Sequence, residues 1–234
     1  MHEALVLDNQ PKLHARAQGL YLLLAALFIS ALITCNIIAN KFIALDLLGK
    51  TFVISVGVLP YPITFLITDI LSEVYGRKRT NHVVLAGFVV SLFVLFILWL
   101  GHIFPAIESS PVKDSAYNTV FQNSGRVMMA SMAAYLSAQL VDIRLFHFWK
   151  KTTKGKHLWI RNNFSTIFSQ LIDTTLVVGI IFIGTESQAN IPGYIGDGWL
   201  FKVICAALDT VLIYAIMFVI RKQFGLTHGQ EIKL

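Results

Sequence analysis

Residues 61–104 read YPITFLITDILSEVYGRKRTNHVVLAGFVVSLFVLFILWLGHIF. One apolar run extends from Tyr61 to Tyr75 and a second from about His82 to Phe104, with Gly76-Arg77-Lys78-Arg79 between them. The second run carries no Asp, Glu, Lys or Arg. It is as long as the roughly 20 apolar residues that cross a hydrocarbon core as a helix. Pro60-Tyr61-Pro62 interrupts regular backbone and starts the first run as a helix. Phe52 to Leu59, just before it, is short and β-branched and reads as a re-entrant or irregular piece. The stretch is thus two successive membrane helices joined by a basic turn, and the first of them carries Thr68, Asp69 and Glu73.

The same pattern repeats outward from this pair. Further apolar runs cover about residues 20–43, 125–148, 163–184 and 199–220, which makes six. A polar loop is expected over 105–124. A shorter one is expected over 185–198, with Pro192, Gly193, Gly196 and Gly198 as turn formers. The fold class is therefore an all-α polytopic membrane protein with six transmembrane helices. Tails at 1–19 and 221–234 flank a membrane domain at 20–220. Composition agrees: 56% of the 234 residues are hydrophobic and only 14% are charged, against about a quarter in soluble domains.

Basic residues set the orientation. With the N-terminus inside, the inner segments hold Lys12, Arg16, Arg77, Lys78, Arg79, Lys150, Lys151, Lys154, Lys156, Arg161, Arg221, Lys222 and Lys233. The outer loops hold Lys50 and Lys113. Lys41, Arg126, Arg144 and Lys202 lie in or at the ends of helices. Thirteen against two is the asymmetry of a protein with both ends in the cytoplasm. Trp99, Trp149, Trp159 and Trp199 fall near helix ends, where interfacial tryptophans belong.

Several other functions are excluded. The net charge of +6 is spread over short loops, with no soluble basic domain for nucleic acid. Gly49-Lys50-Thr51 resembles the end of a phosphate-binding loop, but Ala44 stands where that pattern needs glycine. The seven histidines form no metal-binding spacing, and no GxSxG nucleophile motif is present. Cys35 and Cys205 lie in apolar runs as packing residues. Neither enzyme chemistry nor a cofactor or metal is expected.

What remains is a set of polar side chains inside the membrane, on five of the six helices. The first helix has Asn36 and Asn40, followed by Lys41. The second has Asp69 and Glu73, the fourth Tyr135, Gln139 and Asp142, the fifth Thr166, Gln170 and Asp173, and the sixth Lys202 and Asp209. The third helix has no charged residue and should be the most lipid-exposed. An ionisable group at mid-bilayer costs about 2.5–3.5 kcal/mol on insertion scales, so these groups face partners or a water-filled cavity. Gln139-Leu-Val-Asp142 and Gln170-Leu-Ile-Asp173 are the same pattern, each with a hydroxyl side chain four residues earlier. Two antiparallel helices could present both sets to one cavity. Asp69 or Glu73 could equally pair with Arg126 or Lys202 and only hold helices together. A carboxylate–amide site suits a planar heterocycle with adjacent N–H groups, with a sugar or amino acid left open. A carboxyl group in such a place could also carry a coupling proton.

At these residues the chain resembles the queuosine precursor transporters, described also as vitamin-uptake-like membrane proteins. The resemblance is carried by Asn36 to Lys41, Tyr61-Pro-Ile-Thr64, Thr68-Asp69-Ile-Leu-Ser-Glu73-Val-Tyr-Gly76, Arg126, and Ala130 to Tyr135 with Gln139 to Asp142. It continues in Arg161-Asn-Asn163, Ser165-Thr166, Gln170 to Asp173, Lys202 and Asp209-Thr210. It implies uptake of 7-deazaguanine precursors of a modified transfer-RNA base across the bacterial inner membrane. It also implies a fold similar to the substrate-binding subunits of energy-coupling-factor vitamin transporters. The implied binding residues are Asn36, Asp69, Glu73, Arg126, Gln139, Asp142, Gln170, Asp173, Lys202 and Asp209, with Tyr61, Phe65 and Tyr135 as stacking candidates. Two other readings stand beside it. One is a binding subunit that depends on separate ATPase and coupling subunits. The other is an intramembrane enzyme using Asp69 or Asp173 as acid–base.

Overall fold

In a computed structural model, residues 5–6, 10–39, 41–47, 49–121, 125–184 and 186–233 are described. A long helix α1, Pro11–Ile37, buries Ala17, Leu24, Phe28, Leu32 and Cys35, a stripe at helical spacing. Next come two paired strands, β2 (Phe42–Leu47) and β3 (Lys50–Ser55), with Leu47 opposite Lys50, and a short 3-10 turn at Val56–Val58. Helix α2 covers Tyr61–Ile103, followed by a small helix α3 at Asp114–Phe121. Three long helices complete the bundle: α4 (Gly125–Thr152), α5 (Leu158–Phe182) and α6 (Ile191–Phe224). A two-residue strand β1 (Leu5–Val6) pairs in parallel with β4 (Ile232–Lys233), so both chain ends lie on one side.

Helix α2 is two crossings. Gly76 has φ 75° and ψ 171°, which breaks the helix into arms 61–75 and 77–103. Side chains with a Cβ are strained at that φ, so the break requires glycine. Neighbour contacts show that the direction reverses there. Against α4, the first arm pairs Thr68 with Gln139 and the Glu73 carbonyl with Lys150, so the two run parallel. The second arm meets α4 through Val84 and Tyr135. Further along, Ser91 to Leu98 share a cavity with Ser131 and Met132, an antiparallel relation. Helix α5 opposes the first arm, with Tyr61 against Asp173 and Glu73 against Arg161. Helix α6 opposes α5, with Lys202 against Asp173 and Thr210 against Asn163.

Six segments therefore alternate in direction. Among the described residues, Pro11–Ile37, Val56–Ile103, Leu158–Phe182 and Gln188–Phe224 combine the length and apolarity of a membrane span, and Val56–Ile103 holds both arms of α2. Helix α4, at 28 residues, is roughly 42 Å long, enough for the sixth crossing. Its polar residues Gln139 and Asp142 are turned inward with no exposure. The all-α polytopic fold is thus as expected from the sequence.

The first arm is the axis of the bundle: every residue from Thr64 to Gly76 is buried. The second arm exposes Leu85, Val89, Phe93, Phe96 and Trp99, a lipid-facing surface, as expected for the run without charges.

Several boundaries differ from the sequence reading, among them the start of α1 at Pro11 and of α5 at Leu158, and the helix α3 inside the loop expected over 105–124. Helix α1 stops at Ile37 rather than Ile43, because 42–47 pairs as a strand with 50–55. A Cβ on Gly57 would lie 2.3 Å from the Cys35 carbonyl, so only glycine lets the returning chain pass this close. The stretch from Phe52, read as irregular, is the second half of that strand pair and its 3-10 exit. Arg77 to Arg79 form the first turn of the second arm, not a loop, with Thr80 Oγ1 donating to the Gly76 carbonyl. Helix α6 begins at Ile191, so Pro192 occupies its first turn, where a missing N–H costs nothing. The glycines after it are helical rather than turn-forming.

Candidate functional site

The buried polar groups form three layers along the first arm of α2. At the Gly76 end is Glu73, 1% exposed. Arg161 of α5 donates to its Oε1 at 2.6 Å and Arg221 of α6 at 3.1 Å, while Lys150 of α4 lies 3.5 Å from Oε2. Lys150 also binds Glu231 at 2.8 Å, and Glu231 packs against Gly76. Three cations and a tail carboxylate therefore tie four crossings together at the Gly76 end. The sequence reading proposed Arg126 or Lys202 as partners for Glu73. The structure supplies Arg161, Arg221 and Lys150, because α5 starts at Leu158 and carries Arg161 one turn inside.

One turn further along the arm is Asp69, 1% exposed, facing Asp142 of α4, which is 0% exposed. The two lie beside the Thr68–Gln139 contact that joins these helices. Ser169 of α5 donates to Asp142 Oδ1 at 2.9 Å. No donor of the described residues reaches either oxygen of Asp69 or Oδ2 of Asp142. Gln139 Oε1 accepts from Thr68 at 3.2 Å, but its Nε2 has no protein partner, nor does Gln170 Oε1. Buried polar groups are almost always paired in native structures. A set of acceptors and amides left unpaired at one depth is what a ligand with N–H donors and a carbonyl would complete.

The outer layer is an ion pair with an aromatic wall. Lys202 of α6 binds Asp173 of α5 at 2.5 Å, and Tyr61 donates to the other oxygen of Asp173 at 2.8 Å. The Lys202 ammonium sits 4.9 Å from the Tyr61 ring centre, and Tyr61 stacks obliquely on Phe65 at 5.6 Å. Tyr61, Phe65, Thr166, Gln170, Lys202 and Asp209 line a small cavity. Phe65 precedes Asp69 by one helical turn, so the carboxyl pair lies next to this cavity without lining it. Asp209, half-buried on α6, also lines it.

The structure thus brings Asp69, Gln139, Asp142, Gln170, Asp173, Lys202 and Asp209 together, with Glu73 below them. It places Asn36 elsewhere: its amide donates to the Leu32 carbonyl at 3.1 Å, and it lines a separate cavity between α1, the second arm and α4. The side chain of Arg126, and Asn40, lie outside the described residues. Tyr135 donates to the Val84 carbonyl and packs on Phe28, away from the small cavity. The two Gln-x-x-Asp segments are not equivalent. Asp142 turns to another acid and Asp173 to a cation. Ser169, Arg221 and Lys150 join the site without having been singled out by sequence. Ser169 sits one position before Gln170 on the buried face of α5, the only local sign that could have marked it. Among the described residues, no three metal-ligand side chains cluster.

A family described as "Putative vitamin uptake transporter" matches residues 55–216, which span all three layers. The chain is 30% identical over 164 residues to a protein of Bacillus subtilis (strain 168) named "Probable queuosine precursor transporter", covering 70% of this chain and 67% of that one. It is 27% identical over 168 residues to a protein of the same name from Haemophilus influenzae, covering 69% and 67%. No solved structure matches the chain.

Proposed function

We propose, from the premise that this chain belongs to the putative vitamin uptake transporter family, that it imports queuosine precursors across the bacterial inner membrane, with both termini in the cytoplasm. The substrates are 7-deazaguanine bases, planar heterocycles with several N–H donors and one ring carbonyl. The observation that carries this reading is the Asp69–Asp142 pair, buried with no donor to Asp69 or to Oδ2 of Asp142, and with Gln139 Nε2 and Gln170 Oε1 unpaired as well. Carboxylates accept from the donor edge of a base, as acidic side chains do elsewhere. A glutamine offers both a donor to the carbonyl and an acceptor to an amine. Tyr61 and Phe65 supply a surface on which a flat ring stacks. In this reading Glu73 and its cations hold the inner ends of the helices, and Asp173 with Lys202 fixes Tyr61 at the outer wall.

The test uses a strain that makes no queuosine precursor and lacks its own importer. The protein is expressed, nanomolar free precursor is supplied, and transfer RNA is assayed for queuosine. Wild type should restore the modification. Asp69→Asn and Asp142→Asn, present in the membrane at equal levels, should not. A well-expressed wild type that restores nothing would remove the substrate assignment. Restoration only when ATPase and coupling subunits are co-expressed would favour a binding-subunit role.

A further inference from the structure

We infer that Asp209 carries a proton through the transport cycle, so that the base enters together with a proton. The inference rests on the transport reading above and names what drives that transport. Asp209 lies near the midpoint of α6, a helix of 34 residues. Its neighbours Leu208, Val211 and Leu212 are exposed on the lipid side, so its carboxyl sits at mid-bilayer depth. A charged side chain there is costly, and it faces a partner, a ligand or a proton path. Asp209 has no ion-pair partner among the described residues. It is half-buried and lines the small cavity between the first arm of α2, α5 and α6. Asp69 and Asp142, at 1% and 0% exposure, do not line that cavity. Asp209 is thus the unmatched acid placed to exchange a proton with water in the cavity.

The groups around Asp209 do not match its charge. On α6, Lys202 lies two turns away and is held by Asp173, and the thiol of Cys205, one turn away, brings no positive charge. From the first arm, Tyr61 donates to Asp173, and Asp69 beside the cavity is another acid. From α5, Thr166 and Gln170 do not titrate, and α4 does not line the cavity. Lys202 and Asp173 cancel, so the cavity keeps the single negative charge of Asp209. A neutral base leaves that charge in place, and a proton removes it. One proton binds the carboxylate from the outer side and leaves to water on the inner side, with no other bond made or broken. The protonated acid is neutral, the form that a low-dielectric setting favours. Coupling sodium ions are held by carbonyls of unwound helix. Helix α6 is continuous through Asp209, and among the described residues no three metal-ligand side chains cluster. Gln170, 2% exposed, lines the same cavity with Oε1 unpaired, and that is where a base with N–H donors rests beside the acid.

The test uses the purified protein in sealed lipid vesicles, the membrane potential clamped, with radiolabelled 7-cyano-7-deazaguanine, a neutral base. Two quantities are measured against protein-free vesicles: accumulation driven by a pH gradient, and exchange of external for internal base without any gradient. In wild type, an outside-acid gradient of about one pH unit should drive about tenfold accumulation, the ratio for one proton per base. Each variant is scored by its accumulation relative to its own exchange rate. Asp209→Glu should keep that ratio, whereas Asp209→Asn and Asp209→Ser should exchange the base without accumulating it. Wild type that exchanges but ignores the pH gradient, or that follows a sodium gradient instead, overturns the inference and leaves the transport reading standing. Accumulation retained in Asp209→Asn overturns it as well, since the proton then travels on another group. Loss of exchange in both Asp209→Asn and Asp209→Ser makes the residue structural or base-binding and also overturns it. Wild type that neither exchanges nor accumulates the base removes the transport reading and this inference with it.

Discussion

Arg161 donates to Glu73 at 2.6 Å, and both side chains are closed to solvent, at 0% and 1% exposure. They link the central arm of α2 to α5, and Arg221 joins the same carboxylate oxygen from α6. Removing one partner of a buried pair leaves an uncompensated charge, which typically costs about 3–5 kcal/mol. Glu73→Ala should therefore lower the melting temperature of the detergent-purified protein sharply, because it strands three cations. Arg161→Met should also do so. The double variant Glu73→Met with Arg161→Met should be less destabilised than the sum of the two single changes. Additive losses would mean that the pair contributes nothing as a pair.

Asp69→Asn should behave in the opposite way for stability. The asparagine amide places a donor opposite Asp142, where there are now only acceptors. Satisfying a buried acceptor contributes about 1–2 kcal/mol. The melting temperature should stay level or rise by a few degrees, while uptake falls at least about tenfold through the lost charge. A variant that loses uptake and melts much earlier would show Asp69 to be structural.

Much of this arrangement was legible in the sequence because hydrophobic runs and basic turns are local signals. Asp69, Asp142 and Gln170 were visible as polar residues a lipid-facing helix would not keep. Which acid meets which cation was not legible. Asp142 and Asp173 share one motif, yet one faces Asp69 and the other Lys202. That difference depends on how α4 and α5 rotate against the first arm, which no local pattern encodes. The β2–β3 strand pair was also missed, since its apolar residues extend the run of α1 without a break in hydropathy. Asn36 looked equivalent to the site residues and is not, because it lines a separate cavity against the second arm.

Gly76→Ala tests the reversal between the two arms of α2. The residue sits at φ 75°, and a Cβ there would come within 2.2 Å of Glu231 Oε2. Backbone at this φ and ψ, essentially confined to glycine, costs a residue with a Cβ roughly 1–3 kcal/mol. The displaced Glu231 would also loosen its bond to Lys150. A fall in melting temperature is expected for Gly76→Ala. A smaller fall is expected in the Glu231→Ala background, where the Cβ meets less. An equal fall in both backgrounds would assign the whole cost to backbone strain.

The outer strand pair offers a contrast between two kinds of contact with α6. Lys50 and Asp197 form an exposed ion pair, and exposed pairs contribute little once side-chain ordering and salt screening are counted. Phe52, by contrast, is 2% exposed and meets Phe201 with ring centres 5.8 Å apart. Lys50→Ala should leave the melting temperature unchanged at physiological salt. Phe52→Ala opens a cavity under the strand pair and should cost about 3 kcal/mol. Phe201 belongs to α6 one position before Lys202, so loosening it should also disturb the Tyr61–Asp173–Lys202 contact at the outer wall. Uptake by Phe52→Ala should then saturate at a higher precursor concentration than in wild type, measured in membranes with matched protein levels. An unchanged half-saturation would show that the strand pair stabilises the outer end without shaping the site.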